Sequence, residues 1–390
     1  MFKKSLAAVA VLGAFAGTAL AADVQLYGLV DYGFHYTETK ATGADKVTNF
    51  DLKSGQNSGS RFGLKGTEDL GNGYKVGFVL ENAFNADDGT LDKEGRLFHR
   101  ESLLFVQSAW GELSAGRTGA LDAGTGRYNL MGSGASAFGT GWGEVGNSDD
   151  ILLGTGSRMD NTLTYQSPAF AGVTFYAQAS FKKDNKAKED FVAGEAVAGE
   201  AVAGEEGSSD ANRYYAVGAK YSVGALKAGM VLSQTDYARH QITASDPDGD
   251  DALVVSGFVN YDFGMVKPMV AVQYWDNGLV PVGSQSTGWE YGVVNSKGYG
   301  VVVGATAPVF GGTLKATTGW NDYEGIKSAE LTKSKLEGNN FMVGVGYEYP
   351  LSKRTFVYTA AGYKHVEIKH NDEKDKTKVQ EVMFGMVHQF

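Results

Sequence analysis

The chain has 390 residues, a formal net charge of −10 and no cysteine. This acidic balance leaves no basic stripe that could neutralise a phosphate backbone, so nucleic acid is excluded as a partner. The lack of cysteine excludes a disulfide framework and thiolate chemistry, and the length suits one large domain.

Residues 1–21 are predicted to be a secretory signal peptide. Lys3 and Lys4 give a basic start, residues 6–16 are apolar, and Ala19-Leu20-Ala21 fits a small-residue cleavage site. The mature chain is then one unit over residues 22–390. No later stretch approaches the roughly 18 apolar residues that a spanning helix needs. The exported chain is therefore either soluble or held in a membrane by strands.

Segments with strict period-two alternation follow along the whole mature chain. The first has its apolar side chains on one face from Val24 to Tyr36, and the last does so from Val382 to Phe390. A less regular fourth strand is predicted over residues 96–108. Seven short turns separate these segments in alternation with eight long connections, which are residues 37–58, 87–95, 118–156, 183–211, 238–250, 277–296, 323–338 and 367–376.

Short turns on one rim and long loops on the other are typical of outer-membrane barrels. The pattern predicts an all-β fold, a transmembrane antiparallel β-barrel of about sixteen strands. The last strand should pair with the first, because a barrel leaves no free edge in the membrane.

Other signals are weak. The pentapeptide repeat VAGEA over residues 192–205 is interpreted as an expansion of the surface loop 183–211. The acidic run 246–251 lacks the distal glutamate of a calcium loop, and the glycine pattern at 141–146 follows no strand. We therefore predict no metal site, no cofactor and no catalytic activity.

Several blocks resemble the general-diffusion porins of β-proteobacteria. They are VQLYGLVDYG at the mature start, SGSRFGLKGTEDLGNGYKVGFVLE at 58–81, WGELSAGR at 110–117, NTLTYQSPAFAGV at 161–173, YPLSKRTFVYTAAGY at 349–363 and the final VHQF. The resemblance implies a homotrimer in the outer membrane of a Gram-negative bacterium, in contact with outer-membrane lipid and lipopolysaccharide. It also implies that the third loop, 118–156, folds into the lumen as a constriction loop. Phe390 would be the terminal aromatic that the barrel-assembly machinery reads.

A porin conducts ions and small hydrophilic solutes, and its selectivity comes from fixed charges at the narrowest point. Arg61 and Lys65 share one face of a strand, opposite Phe62 and Leu64. That face should be the lumen, since arginine facing lipid costs roughly 2–4 kcal/mol at mid-bilayer. By the resemblance, Arg61 and Arg100 match two arginines of the constriction wall.

The remaining candidates flank or belong to the third loop. Arg117 and Arg158 lie at its junctions with strands and are predicted wall residues. The acids that would face the wall are Asp122, Glu144, Asp149 and Asp150. The sequence leaves the sign of the ion selectivity open. It also leaves open a substrate-specific porin, a surface adhesin acting through the long loops, and a barrel enzyme, for which no serine or histidine pair is found.

Overall fold

A computed structural model describes residues 24–139, 141–142, 145–146, 148–154, 157–185, 206–207, 211–237, 251–281, 293–325, 336–370 and 373–390. Several predicted features lie outside the described residues, namely the signal peptide, Glu144, the repeat at 192–205 and the acidic run at 246–250.

In the described ranges, seventeen strand segments form one antiparallel sheet that closes on itself. They are β1 (Gln25–Ala41), β2 (Val47–Ser54), β3 (Arg61–Gly71), β4 (Tyr74–Ala83), β5 (Glu101–Ser108), β6 (Gly111–Gly119), β7 (Arg158–Gln166), β8 (Val173–Ser180), β9 (Arg213–Val223), β10 (Leu226–Asp236), β11 (Ala252–Tyr261), β12 (Lys267–Pro281), β13 (Val293–Val309), β14 (Gly312–Gly325), β15 (Leu336–Pro350), β16 (Thr355–His370) and β17 (Glu373–Gln389). The last strand pairs with the first, from Leu29 opposite Gln389 to Ala41 opposite Thr377. The predicted closed β-barrel is confirmed.

The segments β2 and β3 follow one another along the same edge of β1 and so count as one strand position of the barrel. Along one edge, β1 pairs with β2, where Tyr32 opposes Ser54, and then with β3, where Leu29 opposes Arg61. Residues 55–60, here called the 55–60 turn, leave the sheet between these two segments. The seventeen segments therefore occupy sixteen positions, which is the predicted number.

All seven predicted short turns are found, but several long connections were predicted too long. The prediction of a loop over 37–58 is wrong for most of its length, because β1 continues to Ala41 and β2 begins at Val47. Strands also extend into the predicted loops 277–296, 323–338 and 367–376. Their polar composition suggested loops, yet a strand pairs through its backbone and tolerates polar side chains on both faces where water surrounds it. Conversely, the predicted fourth strand begins only at Glu101.

The two faces of the sheet have different surroundings. On β12, Val270 and Val272 are 37% and 49% exposed, whereas Met269 and Ala271, which alternate with them, are buried. We call the face with exposed apolar side chains the apolar face. The other, here called the covered face, packs against residues 120–157, here called the β6–β7 segment. Among its described residues, this segment has one short helix, α1 (Gly132–Ala135), and a 3-10 turn (Ser148–Asp150). Among the described residues, no helix is long and apolar enough to cross a membrane.

Phe390 adds the last backbone pair of the closure. Its N–H donates to the Gly28 carbonyl (3.1 Å), and its carbonyl accepts from the Gly28 N–H (3.2 Å). We expect deletion of Phe390 to reduce the yield of assembled barrel, because it removes this pair and an exposed terminal ring. Heat-modifiability on gels measures the yield. Phe310→Ala, which truncates another exposed aromatic at a short turn, should assemble normally, and a normal yield without Phe390 would contradict the prediction.

Candidate functional site

Amide side chains on the covered face hold the backbone of the β6–β7 segment. They come from five strands and are buried or half-buried. Gln178 accepts from Leu121 N (3.0 Å), and the others donate through their amide nitrogens: Asn260 to Gly134 O (3.0 Å), Gln273 to Leu153 O (3.0 Å), and Asn321 and Asn340 to Asp150 O (3.0 and 2.8 Å). These hydrogen bonds provide partners for backbone N–H and C=O groups of the β6–β7 segment, whose described residues form little secondary structure.

Glycines on the facing strands make room for the segment. A Cβ atom on Gly344 would lie 2.7 Å from a methyl group of Val145, and one on Gly362 would lie 2.9 Å from it. Trp142 is buried and packs edge-on against Tyr358 of β16, with ring centroids 5.3 Å apart. Together with the amides, these contacts reach from β8 to β16. The β6–β7 segment thus lies across more than half of the strands of the barrel on one face.

Arginines converge on one carboxylate on the part of the covered face nearest β1. Arg100 Nε donates to Glu81 Oε1 at 2.6 Å, and Arg61 Nε lies 3.9 Å from Glu81 Oε2. Tyr27 donates its hydroxyl to the same carboxylate at 3.0 Å. One carboxylate therefore serves two guanidinium groups.

Arg158 and Asp149 are the charged side chains through which the arginines and the β6–β7 segment interact. The Nε of Arg158 is buried and has no hydrogen-bond partner, and the charges of Arg100, Glu101 and Glu81 all act on this side chain. Asp149, on the 3-10 turn, interacts with Arg158. The neighbouring Asp150 instead forms an ion pair with Lys364 of β16 (3.0 Å), which fixes the turn to the opposite wall.

Asp149 has an unusual protonation equilibrium. Its side chain has surface that is accessible to water. Much of its surroundings is nevertheless protein rather than bulk water. This desolvation raises the pKa of the Asp149 carboxyl to about 6, repulsion from Asp150 adds to the rise, and Arg158 opposes it. The carboxyl therefore changes charge near neutral pH.

The 55–60 turn connects the arginines to the β6–β7 segment. Arg61 Nη1 donates to Ser58 Oγ (3.2 Å) and to Gly59 O (3.3 Å). Trp142 N donates to Gln56 O (2.5 Å). The turn is itself held by Asp31, whose carboxylate accepts from the backbone N–H groups of Asn57 and Ser58 (2.6 and 2.7 Å). A buried acid on β1 thus supports both elements.

Three further predicted site residues do not contact Glu81. Arg117 shares its face with the exposed Leu113, the apolar face, and binds Asp160 (2.6 Å) and His99 O (2.5 Å). Lys65 shares the face of Arg61 but lies four residues further along β3, nearer the short-turn rim. Its ammonium group lies above the Tyr27 ring. Asp122 is buried against Tyr214 (3.0 Å) and Ser233 (2.6 Å).

These positions change the roles of Arg117 and Asp122. Arg117 belongs to a network with Asp160 and His99 and shares its face with Leu113. Asp122 anchors the β6–β7 segment to β9 and β10, and burial raises the pKa of its carboxyl. Arg61 and Arg100 meet at Glu81, and the charge of Arg158 acts on Asp149. Asp150 pairs with Lys364, and Glu144 lies outside the described residues.

Sequence reasoning missed Glu81, Asp31 and the amide side chains. Glu81 shares a face with Lys75, so its alternation was visible, but nothing local indicated that two arginines would meet there. One amide gave a faint signal, because Gln273 interrupts a face that otherwise holds Met269, Ala271 and Trp275. The hydrogen-bond partners of the amides are distant in the chain and could not be read from spacing.

A closed antiparallel barrel of sixteen positions, with exposed apolar side chains along one face, is typical of proteins that cross a membrane with strands. Residues 7–369 match the description Gram-negative porin, and the chain belongs to that family. It is 29% identical to an outer membrane porin protein of Bordetella pertussis, covering 93% of this chain and 94% of the relative. The protein is an outer-membrane porin of a Gram-negative bacterium, crossing the membrane with many strands.

Solved structures give the same fold. An anion-selective porin from Comamonas acidovorans superposes with a TM-score of 0.61 at 23% identity, covering 95% of this chain and 100% of that one. An outer membrane protein of Vibrio cholerae in its trimer form gives a TM-score of 0.56 at 16% identity, covering 95% and 100%. At these identities the likeness supports the barrel architecture alone.

Proposed function

We propose that the protein is a homotrimeric, passive channel for ions and small hydrophilic solutes with a preference for anions. In this proposal the covered face lines the lumen, and the β6–β7 segment narrows it to a constriction. Arg61, Arg100 and Arg158 form one side of the constriction, and Asp149 forms the other. The trimer is proposed by analogy with the trimer form of the Vibrio cholerae protein.

The single observation that carries the selectivity is the excess of guanidinium groups around Glu81. Of the two nearest acids, Glu81 is already bound by Arg100, and Glu101 is buried against Thr118 (3.1 Å). Positive charge therefore dominates the field in water at this point, and the surrounding low-dielectric wall focuses it. Lys65, Lys220, Lys227 and Lys267 fall on the same covered face toward the short-turn rim and add to this field.

Asp149 makes the selectivity depend on pH. Above pH 6 its carboxylate is ionised and offsets part of the positive field; below pH 6 it is neutral. We expect anion preference, measured as the zero-current potential in planar bilayers under a salt gradient, to increase as the pH falls from 8 to 4.5, with a midpoint near 6.

The Asp149→Asn channel should have, at every pH, the zero-current potential that the wild type has at low pH. The control Asp88→Asn, in an exposed loop, should follow the pH dependence of the wild type. Closures in three equal steps would support the trimer. A cation-favouring potential at low pH would overturn the anion preference, and a silent bilayer would overturn the channel itself.

A further inference from the structure

Two lysines are close neighbours on the covered face near the short-turn rim. Lys220 of β9 lies directly opposite Gly229 of β10, and Lys227 of β10 lies directly opposite Ser222 of β9. The two lysines are therefore diagonal neighbours on one face, where the separation is roughly 7–8 Å. Like charges at this distance repel each other, so the pair does not help the two strands to associate.

Among the described residues, no carboxylate neutralises this pair. Neither lysine forms an ion pair there, and the neighbouring charge that acts on Lys220 is that of Lys227. Glu112, on the same face, is bound by Arg127 (2.7 Å). Asp262, on the adjoining short turn, accepts from a backbone N–H of its own turn (2.8 Å). Two positive charges are thus left together on the wall.

The pair lies directly beyond the β6–β7 segment, toward the short-turn rim. Leu130 of that segment fills the space over Gly218 and Gly229, because Cβ atoms on these glycines would lie 3.0 Å from its methyl groups. Lys220 is opposite Gly229, and Lys227 is two residues nearer the rim. Lys220 is half-buried and Lys227 is exposed. In the proposed lumen, a solute that passes the segment therefore meets the pair before it reaches the short-turn mouth.

We propose that Lys220 and Lys227 form a binding site for one dianionic oxyanion, either inorganic phosphate or the phosphate group of a small solute. One dianion matches both charges and removes their repulsion, and its oxygens accept charge-assisted hydrogen bonds from both ammonium groups. Thr174, opposite Lys220, and Ser222, opposite Lys227, add hydroxyl donors on the same face.

This site rests on the proposed function, because it uses the covered face as the lumen wall, but it adds a different property. The field of the constriction attracts any small anion. The lysine pair instead favours a dianion over a monoanion and saturates when one dianion is bound.

The test measures the chloride current of the full chain in planar bilayers at pH 8, where inorganic phosphate is mostly a dianion. Phosphate should reduce the current of the wild type and reach saturation, whereas nitrate, a monoanion, should not. We expect Lys220→Gln/Lys227→Gln to raise the half-blocking phosphate concentration by about tenfold or more, since two charge-assisted contacts are lost. The same titration with glycerol phosphate distinguishes the free ion from the phosphate group of a solute.

The matched control is Lys65→Gln/Lys267→Gln. It removes two lysines from the same face and toward the same rim, but from β3 and β12, which are not neighbours. Because both variants lose the same charge, their zero-current potentials should shift in the same direction, while the control keeps the phosphate block. Lys220→Arg/Lys227→Arg keeps both charges and should also keep it. Equal block in the wild type, the glutamine pair variant and the control would overturn the site.

A second measurement separates the site from conduction. In phosphorus NMR, the detergent-solubilised wild type and control should broaden the resonance of inorganic phosphate, and the Lys220→Gln/Lys227→Gln barrel should not. A silent bilayer together with this broadening would overturn the channel and support the site. A conducting wild type without block or broadening would overturn the site and leave the channel intact.

Discussion

Arg61→Ala/Arg100→Ala channels are expected to raise the cation-to-anion permeability ratio by roughly fourfold at physiological salt, and by more in dilute salt. A unit charge about 8 Å from a permeating ion in water contributes about 0.5 kcal/mol before screening, with opposite signs for cations and anions. Removing both guanidinium groups also leaves Glu81 with only the Tyr27 hydroxyl as a partner. The field at the constriction then becomes negative.

The measurement is the zero-current potential in a salt gradient, with two controls taken from the same chain. Arg117→Ala removes an arginine from the apolar face, so its ratio should match the wild type. Lys65→Ala removes a cation from the covered face that lies nearer the short-turn rim and forms no ion pair with Glu81, and should give a smaller change. An unchanged ratio in the double variant would remove Arg61 and Arg100 from the constriction.

Asp31→Asn is expected to destabilise the barrel and to loosen its constriction. The buried carboxylate accepts three hydrogen bonds, from Asn57 N (2.6 Å), Ser58 N (2.7 Å) and the Tyr358 hydroxyl (2.7 Å). An amide can accept with only one of its two terminal atoms, so at least one donor loses its partner. With bonds to a charged group worth about 1.5–3 kcal/mol each, we expect a loss of about 3 kcal/mol.

The electrical signature should differ from that of a purely structural lesion. The 55–60 turn contacts both Arg61 and Trp142, so its release should increase open-channel current noise and shift the zero-current potential. Asp51→Asn is the matched control, since this half-exposed acid on β2 binds His35 (3.1 Å) without contacting the turn. Stable trimers with a quiet current in Asp31→Asn would show that the turn is held by other contacts.

The limits of prediction from sequence follow from the range of the interactions. The shared face of Arg61 and Lys65 could be read from the sequence, because alternation along one strand is a local property. The same alternation puts Arg117 on the face of Leu113 and Ala115, whereas the prediction for Arg117 rested on its position at a loop junction. Asp122 could not be distinguished from Asp149, because both are acids in one glycine-rich segment. Only contacts with β9 and β10 separate an anchor from a residue open to water.

The sequence by itself determined the alternation within most strands, the short turns, the pairing of the last strand with the first and the number of barrel positions. These follow from period-two alternation and from the need of every backbone group in a membrane for a partner. Only the tertiary structure decided that Glu81 gathers two arginines, that Asp31 holds the 55–60 turn, and that Arg158 meets Asp149. The reason is physical: these contacts join residues far apart in the chain, and their geometry depends on how an irregular segment packs against nine strands at once.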